Sequence, residues 1–203
     1  MPSSIRRVFF EDYVFQVYRN VYEPAEDSFL FAESLAVKKG EVILDMGTGC
    51  GILSIIAADK AAKVVAVDVS PYAVRCAKEN AKLNSVADKM FFVNGDLFAS
   101  VKIGEKFSSI FFNAPYLPSE PTEDTWLELA WTGGVTGREV IDRFISEAPK
   151  FLRRDGCIFL MQSTLSNVDE TLRRFEKRDL KTSIVTKRAL PFFEAIVLVK
   201  AKP

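Results

Sequence analysis

Short apolar runs alternate with helical patterns along the chain from about residue 40 onward. Runs of four to seven residues, separated by segments of helical periodicity, are typical of buried parallel strands. With right-handed crossovers, this alternation predicts an α/β protein with a doubly wound, mostly parallel seven-stranded sheet. The last two runs lie close together, which indicates an antiparallel C-terminal edge. The predicted strands are Glu41–Met46, Lys63–Val69, Met90–Val93, Phe107–Phe112, Cys157–Gln162, Thr182–Thr186 and Ala195–Lys200.

The helix between the second and third predicted strands has the clearest start signals. Ser70 can cap it with its hydroxyl, and Pro71 occupies the first helical position, where the fixed φ of proline is preorganised. One face of this helix is apolar, which predicts that the helix packs on the sheet. That face carries Ala73, Val74, Ala77 and Ala81.

Two segments fall outside the alternating pattern. Residues 1–40 contain an aromatic, strand-like stretch at Val8–Tyr18 and an apolar stretch at Phe29–Val37 that predicts a helix. We interpret residues 1–40 as an N-terminal extension of one domain that spans residues 1–203, a length typical of a single domain. Residues 113–137 hold prolines, glycines and both tryptophans, and so long a loop is usually either functional or wrongly assigned.

The composition limits the kinds of active site that the chain can have. The chain has 27 basic and 27 acidic side chains and no histidine, which excludes a Ser-His-Asp triad and a histidine-ligated zinc. Its net charge of zero argues against a broad nucleic-acid footprint. Cys50, Cys76 and Cys157 form no CxxC pair, so we expect a reducing compartment and no metal site. No apolar run approaches the roughly 18 residues of a membrane span, so we expect a cytoplasmic protein without membrane contact.

A glycine-rich segment, Asp45–Gly51, lies between the first predicted sheet strand and a helix that begins near Ile52. Gly47, Gly49 and Gly51 allow the chain to turn sharply at this point. They also bring backbone N–H groups close to a ligand at the N-terminus of the helix. The segment therefore predicts a ligand-binding loop, with a plain strand-to-helix turn as the alternative.

A carboxylate at a matching distance suggests which ligand the loop holds. Asp68 ends the second predicted strand, 17 residues after Gly51, where it can accept hydrogen bonds from both hydroxyls of a ribose. Loop and carboxylate together predict a nucleoside cofactor. In dinucleotide sites the third glycine follows the first by five positions, whereas here it follows by four. An NAD site is therefore the less favoured alternative.

The spacing from Asp45 to Gly51 resembles the first motif, D-x-G-x-G-x-G, of the class I S-adenosylmethionine-dependent methyltransferases. The resemblance implies a Rossmann-like fold and S-adenosyl-L-methionine as the cofactor. It implies that the loop packs against the methionine moiety, that Asp68 holds the ribose, and that Asp96 and Leu97 lie at the adenine. This cofactor carries a sulfonium and a zwitterion but no phosphate, which suits a chain without net charge.

A second motif, Asn113–Tyr116, follows the fourth strand of the predicted sheet and emerges at the same edge as the glycine loop. A planar amide nitrogen is a poor nucleophile because its lone pair is delocalised. Two acceptors on its N–H groups can orient it and stabilise the charge that develops during attack. The side-chain carbonyl of Asn113 and the main-chain carbonyl of Ala114 can be those acceptors, and Tyr116 can stack on the planar group. An ordinary turn is the alternative interpretation.

This motif resembles the Asn-Pro-Pro-Tyr signature of amino methyltransferases that act on adenine N6 or on glutamine side chains. Ala114 departs from the signature, which has proline at that position. The alanine keeps the main-chain carbonyl, and Pro115 still favours extended backbone at Ala114. The resemblance implies that Asn113, Ala114, Pro115 and Tyr116 form the catalytic motif, and that Asn113 also contacts the cofactor.

Two further segments, Val21–Ser28 and Ala130–Phe144, resemble the HemK/PrmC-type release-factor glutamine methyltransferases, in their archaeal and eukaryotic branch. The resemblance implies N5-methylation of the glutamine in the Gly-Gly-Gln motif of a class I translation termination factor. It also implies a small zinc-binding activator subunit that forms a heterodimer with the chain.

The first of these segments adds residues to the predicted cofactor site. Tyr22 and Ser28 precede the first sheet strand and can fold over the methionine end of the cofactor, with a plain helix cap as the alternative for Ser28. Glu26 and Asp27 stand at the start of the predicted helix, where one interpretation is compensation of the helix dipole.

Two other functions stay open on the sequence. The first is an adenine N6-methyltransferase acting on DNA or RNA, for which Thr171–Arg188, with seven basic and two acidic residues, is a possible binding surface. A solvated helix face also explains that stretch. The second is a catalytically weak scaffold subunit that binds the cofactor, to which only Ala114 points.

Protein docking surfaces are less well marked. Trp126 and Trp131 can line a docking groove for a protein or can be buried against the sheet. Met90–Val93 is a candidate edge strand to which an activator subunit could add a strand, with burial of its phenylalanines as the alternative.

Overall fold

The computed structural model describes residues 5–119, 125–192 and 194–203. In these ranges nine strands form a two-stranded hairpin and a seven-stranded sheet. The strands are β1 (Arg6–Phe10), β2 (Tyr13–Val17), β3 (Val42–Met46), β4 (Lys63–Asp68), β5 (Met90–Asn94), β6 (Phe107–Asn113), β7 (Leu152–Ser163), β8 (Lys181–Ala189) and β9 (Ala195–Lys202). The large sheet has the order β5-β4-β3-β6-β7-β9-β8.

The large sheet is parallel from β5 to β7 and antiparallel at β9, which pairs with both β7 and β8. The predicted doubly wound sheet with an antiparallel C-terminal edge is therefore confirmed. The start of β7 lies at Leu152, whereas the sequence predicted Cys157. After Leu152, the strand continues with three exposed charged residues, Arg153, Arg154 and Asp155. A search for apolar runs does not detect this part of the strand.

Helices cover both faces of the sheet. They are α1 (Glu26–Glu33), α2 (Ile52–Ala58), α3 (Pro71–Leu83), α4 (Trp126–Leu129), α5 (Glu139–Glu147) and α6 (Val168–Glu176). Strand β6 shows the two faces: Phe111 packs edge-on against Phe31 of α1, while Phe112 packs against Phe144 of α5. Burial on both faces explains why the strands are continuous apolar runs rather than alternating ones.

Helix α3 begins where the sequence predicted. Pro71 is its first residue, and the hydroxyl of Ser70 accepts a hydrogen bond from the N–H of Ala73. Ala73, Ala77 and Ala81 of the predicted apolar face are buried, whereas Val74 is only half-buried.

Helix α1 differs from the prediction at both ends, because it runs over Glu26–Glu33 and not over Phe29–Val37. Ser34 ends the helix: its hydroxyl donates to the carbonyl of Leu30, and its N–H bonds to Phe31 in a tightened last turn. Serine hydroxyls that bond to nearby backbone in this way favour helix ends. The earlier start brings the first turn of α1 to the carboxyl edge of the sheet.

The N-terminal extension packs onto the sheet's helical layer. Val8–Tyr18 forms most of the β1–β2 hairpin, which α3 holds through two asparagines. The Asn80 amide exchanges two hydrogen bonds of 2.8 Å with the backbone of Gln16, and Asn84 does the same with Val14 at 3.1 and 2.8 Å. None of the described helices is long and apolar enough to cross a membrane.

Candidate active site

A cavity of about 460 Å³ opens at the carboxyl ends of β3, β4 and β6. Between β3 and β6 the order of the strands reverses, which is where open α/β sheets bind ligands. The structure brings most of the predicted site residues to this one cavity. Those that line it are Tyr22, Ser28, Gly47, Gly49, Asp68, Asp96, Leu97, Asn113, Ala114, Pro115 and Tyr116.

The three loop glycines all have positive φ, but each serves a different purpose. A Cβ on Gly51 would lie 3.1 Å from Ala77, so this glycine allows α2 and α3 to approach closely. A Cβ on Gly47 would lie 3.2 Å from the Phe112 ring. A Cβ on Gly49, whose φ is +58°, would meet no atom of the described residues within 4 Å. Gly49 lines the cavity, so the space in front of it is part of the cavity.

Asp45 lies behind the loop and does not line the cavity. Its Oδ2 accepts hydrogen bonds from the hydroxyls of Thr48, at 2.7 Å, and Ser54, at 2.5 Å, which tie the loop to α2. Complete burial raises the pKa of this carboxyl to about 6. Asp45 therefore supports the shape of the loop, and direct contact with a cofactor stays a prediction.

Asp68 stands at the end of β4, directly beside the loop. Its Oδ2 accepts the N–H of Gly49 and its Oδ1 accepts the N–H of Ser70, both at 2.9 Å. Desolvation in the cavity raises the pKa of this carboxyl, and the two backbone N–H groups oppose that rise. These bonds hold the carboxylate in one orientation at the cavity wall, as a ribose ligand requires.

Asp96 and Leu97 form the far end of the cavity. Asp96 is paired at 2.5 Å with Arg143 of α5, which also lines the cavity and was missed on the sequence. The side chains of both ion-pair partners are about half exposed, at 52% and 55%. Arg143 thus joins Asp96 and Leu97, the residues at which the adenine was predicted to lie.

Asn113 is held by the first turn of α1. Its Nδ2 donates to Asp27 Oδ2 at 3.1 Å and to Ser28 Oγ at 3.2 Å. Because a carboxylate only accepts, the amide nitrogen must face Asp27, which fixes the orientation of the amide. The buried Oδ1 has no hydrogen-bond partner among the described residues. An N–H group of a ligand can therefore satisfy it.

Asp27 is the residue that joins this network. Besides Asn113, it accepts hydrogen bonds from the hydroxyls of Tyr116, at 3.1 Å, and Tyr22, at 3.3 Å. Desolvation and the nearby Asp27 charge raise the pKa of both tyrosines, so their hydroxyls stay protonated and donate. The sequence interpretation of Asp27 as dipole compensation was therefore incomplete. Its place beside Ser28, itself a predicted site residue, was the available signal.

The glycine-rich segment after the tryptophans packs against the Asn113–Tyr116 segment. A Cβ on Gly137 would lie only 2.3 Å from the carbonyl oxygen of Tyr116, so no other residue fits without a backbone shift. The next residue, Arg138, is buried and donates to the carbonyls of Ser166 and Asn167 and to Asp142. Gly137 and Arg138 are thus held between Tyr116 and the residues that precede α6.

The tryptophans and the basic stretch that the sequence analysis singled out have different positions. Trp126 and Trp131 line it, and Trp126 is 37% exposed. In the basic stretch, Arg173 and Arg174 pair with Glu170, while Arg188 reaches α1. The partners of Arg188 are Glu26 and Glu33.

Comparison with known proteins places this site in a family. The family model described as Ribosomal protein L11 methyltransferase (PrmA) matches residues 28–113, from Ser28 to Asn113. A protein of Methanocaldococcus jannaschii named as a protein N5-glutamine methyltransferase is 42% identical over 186 residues, which cover 90% of this chain and 92% of that protein. Methyltransferase HEMK2 of Homo sapiens is 30% identical over 181 residues, covering 84% and 85% of the two chains.

Solved structures share the fold. A chain of the E. cuniculi Mtq2-Trm112 complex, which is responsible for methylation of the eRF1 translation termination factor, superposes with a TM-score of 0.69. It is 25% identical, and the match covers 90% of this chain and 98% of that one. A tRNA m1G37 methyltransferase of M. jannaschii gives a TM-score of 0.74 at 23% identity, over all of this chain and 55% of the other. The second likeness concerns the fold alone.

Proposed function

The chain belongs to the HEMK2-type family of protein N5-glutamine methyltransferases, and from that premise we propose that it methylates a glutamine side chain in a release factor. The methyl acceptor is the glutamine of the Gly-Gly-Gln motif in a class I translation termination factor. One observation carries the proposal: the buried Oδ1 of Asn113 has no hydrogen-bond partner among the described residues, while its amide nitrogen is bound to Asp27.

The cavity fits S-adenosyl-L-methionine, which supplies a methyl group from its sulfonium when bound. Among the described residues, the charged side chains in the lining are three carboxylates and one guanidinium, and that guanidinium, of Arg143, is already paired with Asp96. Such a wall suits a ligand with positive charge and no phosphate, which disfavours NAD. Asp68 would hold the ribose, and the space in front of Gly49 would take the methionine portion.

Asn113 would orient the acceptor amide. Its Oδ1 accepts one N–H of the substrate glutamine, and the main-chain carbonyl of Ala114 accepts the other. Asp27 keeps the Asn113 amide from rotating, because Nδ2 of Asn113 donates a hydrogen bond of 3.1 Å to Oδ2 of Asp27. Acceptors fixed in advance stabilise the positive charge that grows on the attacking nitrogen without reorganising during the step.

A protein substrate suits the surface better than a nucleic acid does. Three of the seven basic side chains in the predicted basic surface are held in ion pairs: Arg173 and Arg174 bind Glu170, and Arg188 binds Glu26 and Glu33. A release factor as substrate also agrees with a cytoplasmic location, which we propose for the protein.

The proposal is tested with labelled cofactor and three acceptors in parallel: a release factor, its Gly-Gly-Gln variant with alanine in place of glutamine, and nucleic acid. We expect label on the unchanged release factor alone. Label on DNA or RNA would support the adenine methyltransferase instead. Absence of label from all three, with an activator subunit present, would support the scaffold function.

The role of Asn113 has its own test. Asn113→Ala removes the acceptor oxygen, and we expect turnover to fall by at least about 100-fold, the effect typical of losing one fixed hydrogen-bonding group at a reacting centre. Binding of S-adenosylhomocysteine, measured by calorimetry on the same protein, should change by less than about threefold. Equal turnover in variant and parent would remove Asn113 from the mechanism.

We also propose a small zinc-binding activator subunit as partner, docked on β5. This strand is an edge of the large sheet, and its Phe91 is 54% exposed. An edge strand offers unpaired backbone groups to which a partner can add a strand. Phe91→Glu should abolish co-purification with the activator, while Ile184→Glu, on the opposite edge strand β8, should not.

A further inference from the structure

The turn between β8 and β9 lies at the same edge of the sheet as the candidate active site. Asn113, Met161 and Leu198 are aligned across β6, β7 and β9. Because β9 runs antiparallel, Glu194 lies four residues beyond this row, or about 13 Å at about 3.3 Å per residue. The turn therefore projects past the sheet edge, roughly 10 Å to the side of Asn113, which is two strand spacings.

The base of this turn is fixed to the end of β7. The N–H of Leu190 donates to the carbonyl of Glu194 at 2.9 Å and closes the turn. The Glu194 carboxylate accepts the hydroxyl of Ser163 at 2.6 Å, and its charge also contributes to the raised pKa of Tyr116. Leu190 packs in the same core cluster as Tyr116. The turn is thus held in place before any partner arrives.

The tip of the turn presents a phenylalanine to solvent. Phe192 is 96% exposed, the highest value among the large apolar side chains described, and its φ of +62° is uncommon for a residue other than glycine. Trp126 and Leu129 of α4, which line the cavity, are 37% and 38% exposed. Exposed apolar side chains are thus present at the cavity and at the β8–β9 turn.

We propose that Phe192 anchors the protein substrate, outside the cavity in which the acceptor glutamine side chain is bound. This inference rests on the proposed function. A glutamine side chain reaches only about 5 Å from its Cα. If its amide is at Asn113, the substrate backbone therefore lies near the cavity opening, and other parts of a folded substrate can extend to the turn.

The chemistry of the turn selects a protein over a nucleic acid. Its described residues offer apolar surface and the Glu194 carboxylate, and the sequence between Ala189 and Ala195 has no basic side chain for a phosphate. Arg188, at its base, is already paired with Glu26 and Glu33 of α1. Exposed aromatic side chains held in a fixed conformation are typical anchors of protein interfaces.

The kinetic test compares two substitutions of equally exposed apolar residues. Ile103 is 93% exposed and precedes β6, at the opposite end of the sheet. We expect Phe192→Ala to raise the KM for the release factor about tenfold, with kcat and the Kd for S-adenosylhomocysteine unchanged. Ile103→Ala should change none of these values. Equal KM values for the two variants would overturn the proposal.

A photo-crosslinking experiment separates this proposal from the proposed function. Benzoylphenylalanine replaces Phe192 or Ile103, and each protein is irradiated with the release factor and S-adenosylhomocysteine. Crosslinks from position 192 alone support docking at the turn, even if the unsubstituted enzyme transfers no methyl group. Methyl transfer without a crosslink from position 192 overturns the docking and leaves the proposed function intact. Absence of both overturns the two proposals together.

Discussion

The amide nitrogen of Asn113 lies 3.1 Å from Oδ2 of Asp27, although 86 residues separate the two in the chain. The contact joins the end of β6 to the first turn of α1, and it decides which end of the Asn113 amide is left for a substrate. Since Tyr116 and Tyr22 donate to the same carboxylate, one buried group orients three side chains of the site.

Asp27→Asn should therefore slow catalysis without weakening cofactor binding. The new asparagine side chain lacks the negative charge with which Asp27 holds its three donors. A hydrogen bond to a charged group of this kind contributes about 1.5–3 kcal/mol. We expect kcat to fall by about 10- to 100-fold, while the Kd for S-adenosylhomocysteine changes by less than about threefold. Glu26→Gln, next in the chain with its side chain 63% exposed, is the matched control and should keep kcat within about twofold.

Asp68→Ala should instead weaken cofactor binding and leave most of kcat unchanged. This carboxylate faces the predicted ribose, so its loss removes one or two charged hydrogen bonds from the bound cofactor. We expect the cofactor Kd to rise by about 10- to 100-fold, with most of kcat recovered at saturating cofactor. Asp88→Ala, at an exposed position in the turn before β5, should bind the cofactor normally. If the two variants had the same Kd, Asp68 would not hold the ribose.

The fold could be predicted from the sequence largely because its strands are buried on both faces. Leu44 and Ile110, for example, lie in continuous apolar runs that no surface helix would tolerate, and both are fully buried. The strand-end position of Asp68 and Asn113 followed from the same runs. Parallel strands bring their carboxyl ends to one edge, so these residues were expected to meet.

The role of Asp27 could not be predicted in the same way. It depends on where α1 begins, and a shift of three residues in that start turns a different side chain toward Asn113. Likewise, Gly137 and Arg143 meet the site through contacts between distant segments. Local patterns identify glycines and charges in a loop, but they do not show which backbone or carboxylate those residues will touch.

Gly137→Ala should disturb both stability and catalysis. The alanine would have to adopt a φ of +70° and place its Cβ 2.3 Å from the Tyr116 carbonyl, so the catalytic motif would have to move. Gly40 has a similar φ, +85°, but open space around it. Gly40→Ala should therefore cost only the conformational strain, about 1–2 kcal/mol, with normal kcat. We expect Gly137→Ala to be less stable than Gly40→Ala in urea unfolding and to lose at least about tenfold in kcat. Similar results for the two variants would show that contact with Tyr116 is unimportant.

Asp45 should make stability depend on pH. Its folded-state pKa of about 6 lies above the ordinary value of 3.8, so the folded protein binds the proton more tightly than the unfolded chain does. The resulting stabilisation is complete below about pH 4 and is lost as the pH rises through about 6, a difference of about 3 kcal/mol. Asp45→Asn stays neutral, and its amide oxygen can still accept from Thr48 and Ser54. Urea unfolding at pH 4 to 7, without added cofactor, should show the parent losing about 2.4 kcal/mol more than the variant over this interval. The exposed Asp155→Asn variant should follow the parent, and parallel curves for parent and Asp45→Asn would contradict the raised pKa.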